Sequence, residues 1–488
     1  MTRIELILKV ALWVGVLLAA AIGIANMADM IVRDLPGDYV EGVVLAGQQD
    51  ILEGRSLYDR DRWLEPPYSI NLYGPVYYSL GALVASVMGG GASLIPGRLL
   101  TVLSLLLALA ASWQLQRRLL GLDRVAALLG VLLPVGLLPV VVFGAQYRVD
   151  TFAIACGLWG LVAGASGGRR VYLAPLFFVI AVYTKPTAIA GALVLFVWLL
   201  FRRRWRDVVI ISVGCLMLGG VTLVVLQMLT DGAFVRSVFG FNALPFAVGG
   251  LIRAAQYGFS GGLVALGAGV AVSMLTDRSP AARLTAGYML VALLFALATV
   301  GRVGANFNYF IEPGLMVGPV LAFAWHRALR ADDRRVMGTA AAIGLAMLAS
   351  SLLWTLPRVV QEWRGRDLRQ QTEAAVAAQV GEDETILTME IVTALRIGAR
   401  PYLNDPAIFA SLANVGLWDE SRLLSDLQNG TVLWVLADED LEASRGAHSN
   451  WSNAVRETVA AHFEFVQTAG DRLRLYRYGS LSPLRDER

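Results

Sequence analysis

The sequence has few of the residues that cross-link small domains or bind metals. Only two of its 488 residues are cysteine and three are histidine. Cys156 and Cys215 both lie inside apolar runs, so a structural disulfide between them is not expected. With so few histidines, a histidine-rich zinc site is excluded.

Charged residues are also scarce. They make up 16% of the chain against 56% hydrophobic residues, and the mean hydropathy is +0.59. A soluble core of this length cannot bury so much apolar surface, whereas a lipid bilayer accepts it. The net charge of +3 is too small to predict a nucleic-acid partner. The composition therefore predicts an integral membrane protein.

Apolar runs of about 20 residues recur along the chain, each interrupted by charge or by glycine and proline. They predict about 11 transmembrane helices in an all-α polytopic arrangement. The runs lie near residues 5–28, 97–116, 123–144, 150–167, 171–185, 186–201, 207–230, 258–276, 284–302, 309–327 and 336–356. The first run is too long for the core of a signal peptide, so we interpret it as a retained span.

Arginines cluster in alternate loops, which predicts the orientation of the chain in the membrane. The clusters are Arg117, Arg118 and Arg124; Arg169 and Arg170; Arg202, Arg203, Arg204 and Arg206; Arg278 and Arg283; and Arg327, Arg330, Arg334 and Arg335. All of them face the cytoplasm if the positive-inside rule holds. The other loops, and everything after about residue 356, then face outward.

The first outer loop, residues 29–96, contains two further segments with apolar character. Residues 75–89 are too short for a span and begin with a proline, and counting them as one would invert every later loop. Residues 38–54 are amphipathic. We interpret both segments as helices lying in the outer membrane interface.

The chain is predicted to divide into a transmembrane domain, residues 1–356, and a small α/β domain outside the membrane, residues 357–488. Charge density rises in the second part, and helical and strand patterns alternate. Helices are predicted for LRQQTEAAVAAQV, PAIFASLANVGL and NAVRETVAAHFEFV, and strands for ETILTME, GTVLWVLA and RLRLYRY. Neither a glycine-rich phosphate loop nor a catalytic triad is recognisable there.

Polar and aromatic residues gather at the outer ends of the predicted spans. They are Asp38, Glu41, Tyr68, Tyr73, Tyr77, Tyr78, Tyr147, Arg148, Asp150, Lys185, Arg236, Arg253, Arg302, Asn306, Asn308, Tyr309 and Glu312. Ionisable residues at membrane depth are costly and therefore suggest function. A carboxylate base, cations for a phosphate and aromatic rings for a sugar or lipid stem suit transfer from a lipid-phosphate donor to a hydroxyl.

These residues also have structural interpretations, which stay open at this point. Asp38 and Glu41 have the spacing of a capping box. Arg148 and Asp150 could form a local ion pair, and Lys185 could reach lipid phosphates. Headgroup contacts or a further ion pair could account for Arg236, Arg253, Arg302 and Glu312.

The chain resembles the GT-C glycosyltransferases, polytopic enzymes that take sugars from polyprenyl-phosphate carriers. Within them it is similar to the group that includes protein O-mannosyltransferases and the lipid A aminoarabinose transferase. The matching motifs, within residues 5–325, are DYVEG at Asp38, NLYGPVYYSLGAL, YRVD, YTKPTA and GANFNYFIEP. The resemblance implies a GT-C fold with its active site at the outer leaflet.

The resemblance also implies roles for individual residues. Asp38 takes the place of the first-loop general base, and Asp150 that of a second acidic position. Because the first loop has DYVE rather than a tight acidic pair, Glu41 remains an alternative base, and the participation of a divalent metal stays open. The candidate substrate-binding residues are Tyr73, Tyr77, Arg148, Lys185, Arg302, Asn308 and Glu312.

The sequence thus predicts a glycosyltransferase of a bacterial inner or plasma membrane. It would move a sugar from a polyprenyl-phosphate-linked donor to a hydroxyl of a glycan, a lipid or a protein. No cofactor is expected apart from the metal left open above. The alternatives are a lipid or polysaccharide transporter, a non-catalytic envelope assembly protein and another lipid-linked transferase. Transporters usually show repeated halves and charges near the bilayer midplane, and this sequence shows neither.

Overall fold

The computed structural model describes residues 3–330, 334–441, 450–470 and 473–479. The membrane region is built almost wholly from helices. In chain order they are α1 (Arg3–Arg33), α2 (Tyr39–Leu52), α3 (Asp61–Leu64), α4 (Pro75–Val87), α5 (Ile95–Gln114), α6 (Arg124–Leu132), α7 (Leu138–Phe143), α8 (Asp150–Ser166), α9 (Ala174–Val182), α10 (Ala190–Phe201), α11 (Trp205–Leu229), α12 (Ala233–Val235), α13 (Val248–Gly258), α14 (Leu263–Met274), α15 (Pro280–Val300), α16 (Ile311–Arg330) and α17 (Arg334–Ala377).

Among the described residues, six helices are long and apolar enough to cross a membrane, or seven with one bent pair. These segments are Leu6–Arg33, Ile95–Leu119, Trp205–Leu229, Pro280–Val300, Phe307–Arg330 and Gly338–Ala377, with Val248–Gly258 and Leu263–Met274 as the bent pair. Only 11% of the most apolar part of Trp205–Leu229 is buried, so most of its side chains can face lipid. The prediction of an integral membrane protein is confirmed, whereas the number of 11 spans stays a prediction.

The predicted span at residues 123–144 is broken, and the one at residues 258–276 begins at a sharp bend. Within residues 123–144, α6 ends at Leu132, a 3₁₀ turn follows, and α7 begins at Leu138. Pro134 and Pro139 explain the break, because proline lacks an N–H group and its ring clashes with the preceding turn. Near residue 258, α13 and α14 meet at 88°. Gly261 and Gly262 lie between them with φ of 72° and 76°, a conformation that glycine adopts readily.

The first outer loop contains the two longer helices expected from its sequence. The segment 38–54 forms α2 and the segment 75–89 forms α4, and these two helices pack against each other. Pro75 opens α4, where its missing N–H costs nothing. Their placement in the membrane interface stays a prediction.

The C-terminal part contains a five-stranded sheet with helices around it. The elements are β1 (Thr385–Thr388), α18 (Ile391–Arg396), β2 (Arg400–Pro401), α19 (Pro406–Asn414), α20 (Ser421–Gln428), β3 (Trp434–Ala437), α21 (Asn453–His462), β4 (Phe463–Ala469) and β5 (Leu473–Tyr478). The strand order is β2-β1-β3-β5-β4, with β2, β1 and β3 parallel and the last two strands antiparallel.

One segment of this domain differs from its prediction. We expected NAVRETVAAHFEFV to be a single helix, but α21 ends at His462 and the chain continues directly as β4. Phe463 and Phe465 alternate with polar residues, which is the strand period of two, and β4 pairs with β5. The helical pattern of the residues before His462 was extended too far in the prediction, across the point where the strand period begins.

The sheet domain is connected to the membrane region by a continuous helix and by contacts with the first loop. Helix α17 runs without a break through residue 356, the predicted domain boundary. In addition, the first outer loop pairs with the loop after β2. The Tyr68 N–H donates to the Tyr402 carbonyl at 2.9 Å, and the Asn404 N–H donates to the Tyr68 carbonyl at 3.0 Å. These contacts hold the start of α19 close to the first loop and to the helix ends next to it.

Candidate functional site

A chain of alternating charges connects three segments at one end of the membrane helices. The Arg148 Nη1 donates to Asp38 Oδ2 at 2.8 Å, and the Arg148 Nε lies 3.5 Å from Asp150 Oδ2. Lys185 Nζ lies 2.5 Å from Asp150 Oδ1. Because each carboxylate is paired with a cation, the group can remain charged although it is largely buried.

Local structure places each of these groups. Asp38 is the N-cap of α2 and its Oδ1 accepts from the Val40 N–H at 3.3 Å, as expected. Glu41 accepts from the Gly37 N–H rather than from that of Asp38, so the two residues do not form a complete capping box. Asp150 is the first residue of α8, where the helix dipole favours a carboxylate. Lys185 follows the end of α9, where the dipole favours a cation. Since α8 and α9 pack against each other, the two side chains meet.

Asn308 and Glu312 extend this network from the start of α16. The Asn308 amide donates to Asp150 Oδ1 at 2.8 Å. Glu312 accepts a hydrogen bond from the Tyr288 hydroxyl at 2.6 Å, rather than pairing with Arg302. Asp150, Lys185, Asn308 and Glu312 surround a small cavity of about 30 Å³.

Arg302 approaches the site from the loop before α16. Its Nη1 donates to the Asn242 carbonyl at 3.0 Å and its Nη2 to the Tyr309 hydroxyl at 3.1 Å. Lys185 Nζ lies 3.9 Å from the centre of the Tyr309 ring. Both partners of Arg302 are neutral, so its charge remains available to an anion, and Tyr309 links it to Lys185.

These groups surround a cavity of about 350 Å³, here called the cationic cavity. Its lining includes the polar and tyrosine residues Tyr39, Tyr73, Tyr78, Arg148, Lys185, Thr187, Asn242, Arg302, Tyr309 and Asp405. The rest of the wall is largely apolar and includes Val238, Phe239 and Leu244. Cations next to apolar side chains suit a phosphate attached to a hydrocarbon chain.

A second cavity of about 210 Å³, here called the polar cavity, adjoins the first. It is lined by Asp38, Tyr39, Val40, Arg148, Val303, Gly304, Ala305, Asn306, Ala407, Ala410, Ser411, Asn414 and Asn450. Arg148 lines both cavities, whereas Asp38 lines only the polar one. The Asp38–Arg148 ion pair therefore lies where the two cavities meet.

Glu41 and Tyr77 lie outside both cavities. Glu41 and Arg98 are fully buried side chains in a bidentate ion pair, with Nε at 2.9 Å from Oε1 and Nη2 at 2.7 Å from Oε2. Glu41 also accepts from the N–H groups of Gly37 and Tyr147, each at 2.7 Å. Tyr77 is fully buried, and its hydroxyl lies 2.6 Å from Thr101 Oγ1. Both residues hold the first loop against the membrane helices.

The sheet domain contributes a residue that sequence reasoning missed. Asp405 is the N-cap of α19, accepts from the Ile408 N–H at 3.1 Å and lines the cationic cavity. Burial raises the pKa of this carboxyl to about 7. The Asp-Pro start of PAIFASLANVGL is a helix-start signal in the sequence, but nothing in it indicates proximity to Asp38.

Arg98 and Asn242 were missed as well. Arg98 lies in the first turn of α5, in an apolar run that otherwise reads as an ordinary span. A lone arginine in such a run was the available signal, because a buried cation needs a partner. Asn242, which also donates to the Leu72 carbonyl at 2.8 Å, carries no comparable sequence signal.

The carboxylates do not fit a divalent metal. Within the described ranges, no three His, Cys, Asp or Glu side chains come together in a way that could hold one. Asp38 and Asp150 are each paired with a cation, which occupies the oxygens that a hard metal would need.

Comparison with known proteins identifies the fold. No protein-family model matches the sequence, and no curated protein matches it significantly. The structure is similar to that of ArnT from Cupriavidus metallidurans bound to undecaprenyl phosphate. The TM-score is 0.62 at 14% identity, covering 96% of this chain and 98% of that one. Both ArnT and the protein compared next are GT-C glycosyltransferases.

The second similar protein is the Archaeoglobus fulgidus oligosaccharyltransferase AglB. Its complex with an inhibitory peptide and a dolichol-phosphate gives a TM-score of 0.55 at 12% identity, covering 97% of this chain and 75% of that one. Another AglB structure, with zinc and sulfate, has a TM-score of 0.55 at 10% identity, covering 95% and 72%. The chain shares the fold of these GT-C proteins, so the expected resemblance to the GT-C glycosyltransferases is confirmed at the level of the fold.

Proposed function

We propose that this GT-C protein is a membrane glycosyltransferase. It moves a sugar from a polyprenyl-phosphate-linked donor to an acceptor hydroxyl of a glycan, a lipid or a protein at the outer leaflet. The observation that carries this proposal is the position of the Asp38–Arg148 ion pair. It joins a cavity with three cations to a polar cavity that contains the carboxylate.

The cationic cavity is proposed as the donor site. Arg148, Lys185 and Arg302 would bind the phosphate and stabilise the negative charge that develops on it as the sugar leaves. Tyr73 would contact the sugar or the first part of the lipid. The undecaprenyl phosphate in ArnT and the dolichol-phosphate in AglB support a donor of this type.

Asp38 is proposed as the general base. It would accept the proton of the acceptor hydroxyl as the new bond to the anomeric carbon forms and the bond to phosphate breaks. Its side chain is 14% exposed and borders a cavity, whereas that of Glu41 is fully enclosed and hydrogen-bonded at both oxygens. This contrast favours Asp38 over Glu41.

The remaining candidate residues are proposed to position the others. Asp150, held by Asn308, would orient Lys185 and Arg148 toward the phosphate. Glu312 lies below this network and would fix the start of α16 through Tyr288. Glu41 and Tyr77 would fix the first loop, so that Asp38 keeps its direction.

The predicted topology completes the proposal. It comprises about 11 spans, a transmembrane catalytic domain over residues 1–356 with the first outer loop over 29–96, and an outer domain over 357–488. The chain would reside in a bacterial inner or plasma membrane with the outer domain on the periplasmic or extracellular face. The arginine clusters fall in alternate loops, which the positive-inside rule places in the cytoplasm, and this supports the orientation.

Mass spectrometry of surface glycans tests the proposed function. Cells with the wild-type protein, without it, and with Asp38→Asn should be compared. We expect one glycan product to disappear in the second and third samples, although the Asp38→Asn protein still binds undecaprenyl phosphate. A transporter or an assembly protein would instead keep the product in the Asp38→Asn cells, and that result would contradict the proposal.

A further inference from the structure

The polar cavity brings together the membrane region and the sheet domain. One wall is a face of α19, on which Ala407, Ala410, Ser411 and Asn414 follow one another at helical spacing. The loop from Val303 to Asn306 forms another part of the wall. Asp38 also lines the cavity, so a group that enters it can reach the proposed base.

We propose that the polar cavity is the acceptor site and that it accepts a neutral sugar residue. This inference rests on the proposed transferase function and adds the identity of the acceptor. The acceptor oxygen would lose its proton to Asp38 and bond to the anomeric carbon of the donor sugar. The bond from that carbon to the phosphate oxygen breaks at the same time, and polyprenyl phosphate leaves through the cationic cavity.

The chemistry of the lining supports a neutral, hydroxyl-rich group. Ser411, Asn306, Asn414 and Asn450 supply neutral hydroxyl and amide groups, which both donate and accept hydrogen bonds, as sugar hydroxyls do. Part of this capacity is used within the protein, because Ser411 Oγ donates to the Ala407 carbonyl and Asn450 Nδ2 donates to Asp438, each at 2.7 Å. Among the described lining residues, the charged ones are Arg148 and Asp38, and these are paired with each other. This part of the lining therefore offers no unpaired counterion to a charged acceptor group.

The size and position of the cavity are consistent with one terminal sugar. A volume of about 210 Å³ lies below the range of about 300–1,000 Å³ that is typical of sites for larger ligands. Asn306 and Asn414 are exposed, so the cavity opens to water. A glycan could place its last residue beside Asp38 and extend outward.

A peptide acceptor fits this cavity less well. Extended peptides gain affinity by hydrogen bonding to the edge of a sheet. The wall here is a helix, whose backbone groups are already paired. A peptide would have to rely on side-chain contacts alone, so a protein acceptor is an outcome to be tested rather than the expected one.

The test extends the glycan comparison with three further variants. Ala410→Phe fills the cavity, and we expect at least tenfold less product with unchanged binding of undecaprenyl phosphate by the purified full-length protein. Asn414→Ala removes an exposed amide and should also reduce the amount of product. It tests the proposed acceptor site if Ala410→Phe does not fold. The matched control is Ala460→Phe on an exposed position of α21, which should keep the wild-type amount.

Linkage analysis of the product identifies the acceptor. Attachment to a hydroxyl of a neutral sugar, lost in Ala410→Phe, supports the inference. Attachment to serine or threonine of a protein overturns the acceptor class, and a wild-type amount of product in Ala410→Phe overturns the site. Persistence of the product in Asp38→Asn refutes the proposed function itself, which distinguishes that failure from the other two.

Discussion

Asp38 and Arg148 form an ion pair of 2.8 Å between the first outer loop and the turn that precedes α8. Asp38 also caps α2, so its direction is fixed from both sides. A base needs a defined position more than it needs freedom of movement, because the acceptor oxygen must lie within hydrogen-bond reach of it. The ion pair with Arg148 fixes the position of the Asp38 carboxylate at the place where the two cavities meet.

Asp38→Asn should abolish turnover while leaving the fold intact. Asparagine keeps the size and the capping oxygen but accepts no proton, so we expect a loss of about 10²- to 10⁴-fold in kcat. Sugar transfer by purified protein in nanodiscs measures the loss. Asp61→Asn in the exposed part of the same loop is the matched control and should keep full activity.

The Glu41–Arg98 pair should affect stability rather than chemistry. Arg98→Met leaves a fully buried carboxylate without its cation, which typically costs about 3–5 kcal/mol. We expect a large fall in the Tm of the detergent-solubilised protein, with partial recovery in the double variant Glu41→Gln/Arg98→Met. If Glu41→Gln alone abolished turnover in folded protein without changing Tm, Glu41 would replace Asp38 as the base.

Much of this site could be predicted from local sequence. Asp38, Arg148, Asp150 and Lys185 follow or precede apolar runs, and membrane helices must expose such residues at their ends. Because successive spans cross the membrane in alternating directions, these residues are predicted to lie at the same side of the membrane. Local pattern also predicted α2, α4, β1, α19, β3 and β5, whereas α18, β2, α20 and β4 were not predicted.

The remaining features depend on contacts between distant segments. The pairing of Glu41 with Arg98 and the arrival of Asp405 beside the cationic cavity are set by tertiary packing, which no local pattern encodes. The ends of elements were also hard to predict. The change from helix to strand at Phe463 requires β5 as a partner, and β5 lies later in the chain.

Arg302→Met should weaken donor binding without unfolding the protein. The partners of Arg302 are the neutral Asn242 carbonyl and Tyr309 hydroxyl, so its removal leaves no buried charge unpaired. Hydrogen bonds to charged groups contribute about 1.5–3 kcal/mol, so we expect Kd for undecaprenyl phosphate to rise roughly tenfold to a hundredfold. Binding in nanodiscs checks this, and Arg253→Met on the exposed side of α13 serves as the control. Equal affinities for the two variants would exclude Arg302 from the phosphate site.

Asp405 should make the stability of the protein depend on pH. Burial raises the pKa of its carboxyl from 3.8 to about 7, so the folded state binds this proton more tightly than the unfolded state does. Stability from this group is therefore greatest at low pH and falls as the pH rises from about 4 to about 7. Asp405→Asn removes the titration, and asparagine can still cap α19.

We therefore expect the variant to have a smaller fall in Tm than the wild type between pH 5 and pH 8. Thermal unfolding of the two proteins over this range measures the difference in the slope of Tm against pH. Below the pKa of the unfolded carboxyl the group is protonated in both states, so the two slopes should be equal there. Asp426→Asn is the matched control, because Asp426 is buried in the same domain and hydrogen-bonded to Tyr402 but lies away from both cavities. Parallel pH profiles for the wild type and Asp405→Asn would mean that Asp405 is ionised in the folded protein, held by a cation from the cationic cavity.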